Sequence, residues 1–209
     1  MDSRLYRDIN QLAVHTPWAH SFMKAFAVYG VGLFAMLVIA AWWYARRSAE
    51  PCRPVAASLW TAIAVVAAVG VNQVIGRAVH RGRPYATLHG VEVLVSRTHD
   101  FSFPSDHAVT AGAAAAGLWV IAHYGGRATR RIAVTGTVLA LLVGFSRVYV
   151  GAHYPGDVVA GLLFGAAVTT LGWLLVNRPL TTLVESVSRR PGLRLLIATG
   201  RPANSAATS

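Results

Sequence analysis

The sequence predicts an all-α integral membrane protein of about five transmembrane helices, preceded by a short amphipathic helix. Three observations point there. Of the 209 residues, 55% are hydrophobic and only 13% are charged, about half the roughly 25% charged share of a soluble domain. Apolar stretches long enough to cross a bilayer, about 20 residues each, recur along the chain. The charges fall mainly between those stretches, and all the basic ones except Lys24 are arginines.

Leu5, Ile9, Leu12 and Ala13 recur at helical spacing within Ser3 to His15, which predicts an amphipathic helix lying on the membrane surface. No cleavable signal peptide is expected, because the first 16 residues alternate polar and apolar and contain no apolar core. The first span is expected as one helix from Phe22 to Tyr44. It ends on an interfacial aromatic group, Trp42, Trp43 and Tyr44, followed by Arg46 and Arg47. Pro51 and Pro54 mark a turn, and the second span runs from Ala56 to about Val79, with Asn72, Gln73 and Arg77 near its far end. Arg81 to Asp106 is the longest polar interruption. The third span, His107 to Tyr124, is rich in alanine and glycine and suited to close packing. A basic turn, Gly125 to Arg131, leads to the fourth span, Ile132 to Val150. The fifth, Asp157 to Val176, carries Gly161 and Gly165 as a packing pair. From Arg178 onward a basic amphipathic segment is expected, then a polar tail, 201–209, expected to be disordered. Residues 1–200 read as a single membrane domain.

Five spans fix a parity. The loop after the second span, the turn between the fourth and fifth, and the N-terminus share one side. Arg46, Arg47, Arg53, Arg127, Arg130 and Arg131 occupy the short turns on the other side. The positive-inside rule then puts the C-terminus in the cytoplasm and the polar motifs outside. The formal charge of +11 suits anionic headgroups and a phosphorylated substrate better than nucleic acid, since the arginines do not form one basic face. A single cysteine, Cys52, excludes an internal disulfide framework and a cysteine-rich metal site. No protein partner can be inferred.

Three polar clusters fall on the motif side. They are Arg77 with Arg83-Pro84, then Phe103-Pro104-Ser105-Asp106-His107, then Ser146 to Asp157, which reads SRVYVGAHYPGD. Taken singly, each has a bland explanation: a turn, a helix N-cap, a cap beside a solvated histidine. Together they bring arginines, histidines and a carboxylate to one membrane face, where ionisable groups are costly unless paired or lining a polar cavity. His153 and Asp157 stand four apart across the break at Pro155-Gly156, close enough for the carboxylate to hold the imidazole. On that spacing His153 reads as a nucleophile oriented by Asp157, and Arg147 as an anion ligand.

This set of residues resembles the three-part signature of the type 2 phosphatidic acid phosphatase superfamily, which includes the vanadium haloperoxidases and implies a haloperoxidase-like helical core. The form of the second and third motifs, FPSDH with GFSR and HYP, is most similar to undecaprenyl-diphosphate phosphatases of the bacitracin-resistance type. One departure is evident: Gly76 stands where the family pattern has a lysine, and the adjacent Arg77 points about 100° away on a helix.

The resemblance and the residue types imply the same chemistry. Phosphoryl transfer needs charge on three equatorial oxygens neutralised, which Arg83 and Arg147 can do, with Ser105, Arg77 and N–H groups at the start of the third span as further donors. His153 attacks phosphorus, Asp157 holds it, and His107 protonates the leaving oxygen and then activates water. Pro104 and Asp106 are accessory candidates. No metal or other cofactor is required. The expected function is metal-independent hydrolysis of the terminal phosphate of a polyprenyl diphosphate in the cell membrane. A phosphatidic acid or phosphatidylglycerol phosphate phosphatase, or a lipid transporter, remains the alternative.

Overall fold

A computed structural model of the chain describes residues 2–190 and 192–198; the tail at 201–209 lies outside the described residues. Eight α-helices follow in order: α1 Asp2–His15, α2 His20–Tyr29, α3 Gly32–Ala45, α4 Cys52–Val79, α5 Pro84–Thr87, α6 Asp106–Tyr124, α7 Arg127–Tyr149 and α8 Pro155–Ser188. Short 3-10 turns at Pro17–Ala19 and Arg194–Leu196 complete the described structure, which contains no strand.

Helices α4, α7 and α8 are long and apolar enough to cross a membrane, and α2 with α3 makes a fourth span if the pair is taken together. The expectation of one unbroken first span is corrected: α2 and α3 meet at 57°. The break falls at Gly30–Val31, within a run whose apolarity is continuous and therefore gives no sign of a bend. Helix α6 packs against α3, α4, α7 and α8. Ala108, Val109, Ala111, Gly112, Ala113 and Ala114 are all buried. A helix facing protein on most sides needs small side chains more than greasy ones. For that reason it reads as a span less clearly than its neighbours.

The boundaries follow local chemistry. Helix α4 starts at Cys52, ahead of the expected Ala56, because Pro54 is tolerated in a first turn that has no N–H partner to lose. It ends at His80, which takes the left-handed conformation (φ 53°, ψ 31°) of a helix C-terminus. Helix α7 begins at Arg127, so the basic turn is mostly first-turn helix. Helix α8 continues through Pro179 to Ser188, beyond the expected end at Val176.

Glycines let α6 and α8 cross at backbone contact. A Cβ on Gly161 would lie 2.9 Å from both the Ala108 Cβ and the Ser105 carbonyl, and one on Gly165 would strike the backbone at Val109 and Ala113. The Gly161/Gly165 pair is thus a packing face within the chain. The crossing brings the first turn of α6, with His107, against the first turn of α8, with Asp157.

Helix α1 does not simply lie on a membrane surface. Tyr6 and Ala13 are fully buried and Asn10 nearly so, while Leu5 and Leu12 of the expected apolar face are about half exposed. The buried face docks on the loops at the motif end. Asn10 exchanges two 2.8 Å hydrogen bonds with the Glu92 backbone, and the Tyr6 ring packs 5.5 Å from that of Tyr154.

Candidate active site

Four segments converge at that end: the α4–α5 loop, the loop before α6, the last turn of α7, and the 150–154 turn into α8. Arg83 precedes a proline and is therefore extended (φ −72°, ψ 154°), which aims its side chain inward from the start of α5. Arg147 comes from the last turn of α7 and is buried. His153 is 2% exposed, and Asp157, at the third position of α8, has no exposed surface. A cavity of about 290 Å³ is lined by Arg83, Arg147, His107, His153, Pro104 and Asp106, with Tyr85, Thr98 and Asp100 at its loop side.

The hydrogen bonds fix the histidine's tautomer. His153 Nδ1 lies 2.8 Å from the Ser102 carbonyl, which can only accept, so Nδ1 carries the hydrogen. Nε2 is left with its lone pair, 3.0 Å from Arg83 Nη1, which donates to it. Burial, reinforced by the charges of Arg83 and Arg147, holds His153 well below the ordinary imidazole range. The ring is therefore neutral at physiological pH, the state a nucleophile needs.

Asp157 does not hold His153 directly, as its spacing predicts; its Oδ2 is 3.9 Å from Nδ1. Instead it accepts from Ser102 Oγ at 2.5 Å and from the Tyr154 N–H at 3.0 Å, and Arg81 Nη1 reaches its Oδ1 at 2.5 Å. The carboxylate at the third helical position is engaged in reaching back to the helix start, so Ser102 stands between it and the ring. Asp157 fixes the residue whose carbonyl fixes the histidine.

Arg83 is fully engaged. Its Nε and Nη2 form a fork on Asp100, at 3.0 and 2.8 Å, and Nη1 also donates to the Ala152 carbonyl at 3.0 Å. Burial alone would raise the Asp100 carboxyl, but hydrogen bonds from Arg83 and Thr98, with the Arg83 charge, hold it below its ordinary value. The Asp100 side chain is 56% exposed. Arg147 donates from Nη1 to the Ala27 carbonyl at 2.9 Å. A continuous α2–α3 helix would reserve that carbonyl for its own ladder; the break at Gly30–Val31 frees it.

The other candidates divide. His107 lines the cavity, which Val28 of α2 also lines. Asp106 is held by Asn72 Nδ2 at 2.6 Å and Gln73 Nε2 at 2.8 Å, which explains the polar pair near the end of α4. Ser105 is fully buried outside the cavity lining; its N–H is spent on the Asp157 carbonyl and its hydroxyl has no hydrogen-bond partner. Arg77 is exposed and absent from the cavity lining, whereas the neighbouring Gly76 faces the Phe103 carbonyl at 3.4 Å from an added Cβ. The two have different causes: helical rotation turns Arg77 outward on α4, and Ser105, at the N-terminal cap of α6, is buried against the start of α8.

Sequence reasoning passed over Arg81, Asp100, Ser102 and Asp2. The usable signal was scarcity. With eight acidic residues against 19 basic ones, any acid in the motif loops was a candidate partner for an arginine.

Residues 57–180 match the family model of the PAP2 superfamily. The undecaprenyl-diphosphatase BcrC of Bacillus subtilis (strain 168) is 29% identical over 163 residues, covering 78% of each chain. An undecaprenyl-diphosphatase of Sulfolobus acidocaldarius is 31% identical over 109 residues, 52% of this chain and 50% of that protein. Among solved structures, the PAP2-type phosphatidylglycerolphosphate phosphatase of Bacillus subtilis superimposes with a TM-score of 0.60 at 22% identity, over 90% of this chain and 88% of that one. With a model match across most of its helical bundle and a membrane phosphatase fold around the cavity, the chain belongs to the PAP2 superfamily.

Proposed function

We propose that this chain is a membrane-embedded phosphatase that removes the terminal phosphate of a polyprenyl diphosphate, of the undecaprenyl type, through a phosphohistidine at His153. The observation that carries this reading is the set tautomer of His153: Nδ1 is tied to Ser102, and Nε2 presents its lone pair beside Arg83 in a cavity shared with Arg147 and His107.

As the terminal phosphate binds, Arg83 Nη1 turns from His153 Nε2 to a phosphate oxygen. The freed Nε2 lone pair attacks the terminal phosphorus, and the bond from phosphorus to the bridging oxygen breaks. Arg83 and Arg147 neutralise the equatorial oxygens, Arg83 exchanging Asp100 for phosphate. The partly exposed Asp100 is a displaceable partner, since solvent screens such a pair. His107 passes a proton to the leaving monophosphate, then takes one from the water that attacks phosphorus and releases His153. The arginines supply the positive charge, so no metal or cofactor has a part. Residues 1–200 act as one catalytic domain. The substrate assignment draws on the undecaprenyl-diphosphatases, which include the relative matched over most of both chains. The basic turns at the opposite end support an active site outside the cytoplasm, with the C-terminus inside.

The test is phosphate release by purified protein in detergent, without added metal and with a chelator present. The panel comprises prenyl diphosphates, phosphatidic acid and phosphatidylglycerol phosphate. The reading predicts prenyl diphosphates as the best substrates by kcat/KM. Preference for a glycerophospholipid by tenfold or more would reassign the substrate class.

A further inference from the structure

We propose that Asp2 is a positioning residue of this active site, which clamps Asp157 and the first turn of α8 through Arg81 and the Gly156 N–H. The inference rests on the reading of His153 as nucleophile given above.

Asp2 divides its carboxylate between two partners. Oδ2 accepts from Arg81 Nη2 at 2.6 Å, and Oδ1 accepts from the Gly156 N–H at 2.8 Å. That N–H is one of the first-turn donors for which a helix has no internal partner. Arg81 uses its other terminal nitrogen on Asp157 Oδ1 and lies over the Tyr154 ring, 4.2 Å from its centre. From there the path runs through Ser102, whose hydroxyl donates to Asp157 and whose carbonyl accepts from His153 Nδ1. Asp2 is thus joined to the nucleophile by an unbroken series of hydrogen bonds.

The arrangement has a physical reason. Asp157 is wholly buried, and a buried carboxylate is costly unless a cation and hydrogen bonds satisfy it. Arg81 is the arginine that supplies the charge, and its long side chain is 31% exposed, so Asp157 alone would leave the far side of its guanidinium unanchored. A second carboxylate on the far side of the guanidinium fork holds it in one orientation. Gly156 fits this role. A Cβ there would lie 2.9 Å from Asp2 Oδ2, so the carboxylate reaches the helix end because that position carries no side chain. Neither Asp2 nor Arg81 lines the phosphate cavity, so their contribution should fall on turnover and spare substrate binding.

The experiment uses the full chain in detergent with farnesyl diphosphate carrying a labelled terminal phosphate. It compares wild type, Asp2→Ala, Asp2→Glu and Gly156→Ala by kcat, KM, the rapid-quench rate of label transfer to protein, and melting temperature. Asp2→Ala and Gly156→Ala should each lower label transfer and kcat by about tenfold or more, with KM within about twofold. Misplacing a reacting group by about 1 Å can cost on the order of 10²-fold. Asp2→Glu should recover most of the rate. Gly156→Ala leaves the carboxylate chemically intact and favours helix by propensity, so it remains informative if Asp2→Ala fails to fold. Wild-type label transfer in both Asp2→Ala and Gly156→Ala would overturn the proposal. So would a KM that rises as far as kcat falls, or an Asp2→Glu no better than Asp2→Ala. If wild type takes no label on His153, the nucleophile assignment fails separately, and the split between kcat and KM still decides the role of Asp2.

Discussion

At the scale of single residues, the site separates two kinds of arginine that look alike in the sequence. Arg83 and Arg147 are buried at the cavity, each anchored through one terminal nitrogen to a backbone carbonyl. Arg77 is exposed and directed elsewhere. Replacing Arg83 or Arg147 by alanine should therefore cost on the order of 10²-fold or more in kcat/KM, the usual loss for a donor that stabilises transition-state charge. Arg77→Ala should cost only a few-fold, which steady-state assays with equal amounts of folded protein would show; a loss for Arg77 matching that for Arg83 would place it at the phosphate. An expectation that Arg83, His107, Arg147 and His153 share a cavity could be read from the sequence because each lies in a short motif with its own spacing, and all four line it. Asp157 was rightly placed near His153 and misjudged in contact, since spacing gives proximity but not which of its lone pairs are already taken. Asp2 and Arg81 were illegible: pairing across 79 positions leaves no local trace.

Among elements, the crossing of α6 and α8 sets the distance between His107 on one and the Asp157 turn on the other. Gly161 sits where the two backbones touch. Gly161→Val should force them apart, costing about 1–3 kcal/mol as overpacking does. It should lower both melting temperature and turnover, while Gly32→Ala, where an added Cβ meets nothing within 4 Å, leaves both unchanged. An unchanged melting temperature for Gly161→Val would mean that the crossing tolerates separation. The α2–α3 break is the element that hydropathy could not show. Glycines at 30 and 32 are present, but in a continuous apolar run they are equally compatible with a straight span. What the bend accomplishes, freeing the Ala27 carbonyl for Arg147, depends on a partner more than a hundred residues away.

For the whole molecule, α1, the long polar loop and the 150–154 turn gather at one end. The proposal that this end faces outside the cytoplasm rests on the charge distribution. In a Cys52→Ser background, His89→Cys should react with an impermeant thiol reagent in intact cells, and Gly126→Cys should not. Both positions are exposed, and His89 avoids the left-handed backbone of Gly90 (φ +67°). The reverse pattern would put catalysis in the cytoplasm. The fold class was legible at this scale because bilayer thickness imprints itself on apolar length. The central helix α6 was harder to weigh, being shielded from lipid by its neighbours.

The claim on which the rest depends is that phosphate passes through His153. A rapid-quench experiment with a prenyl diphosphate labelled in its terminal phosphate tests it most directly. Leaving-group chemistry favours its detection: a phosphate monoester, with a relevant pKa of about 6, departs with little help, so His107→Ala should still form the intermediate. Its hydrolysis should slow for want of a base, so label should accumulate on His153 in that variant and be absent from His153→Ala, which should turn over no substrate. Label on His107 in the wild-type protein, or none on any residue in His107→Ala, would contradict the account.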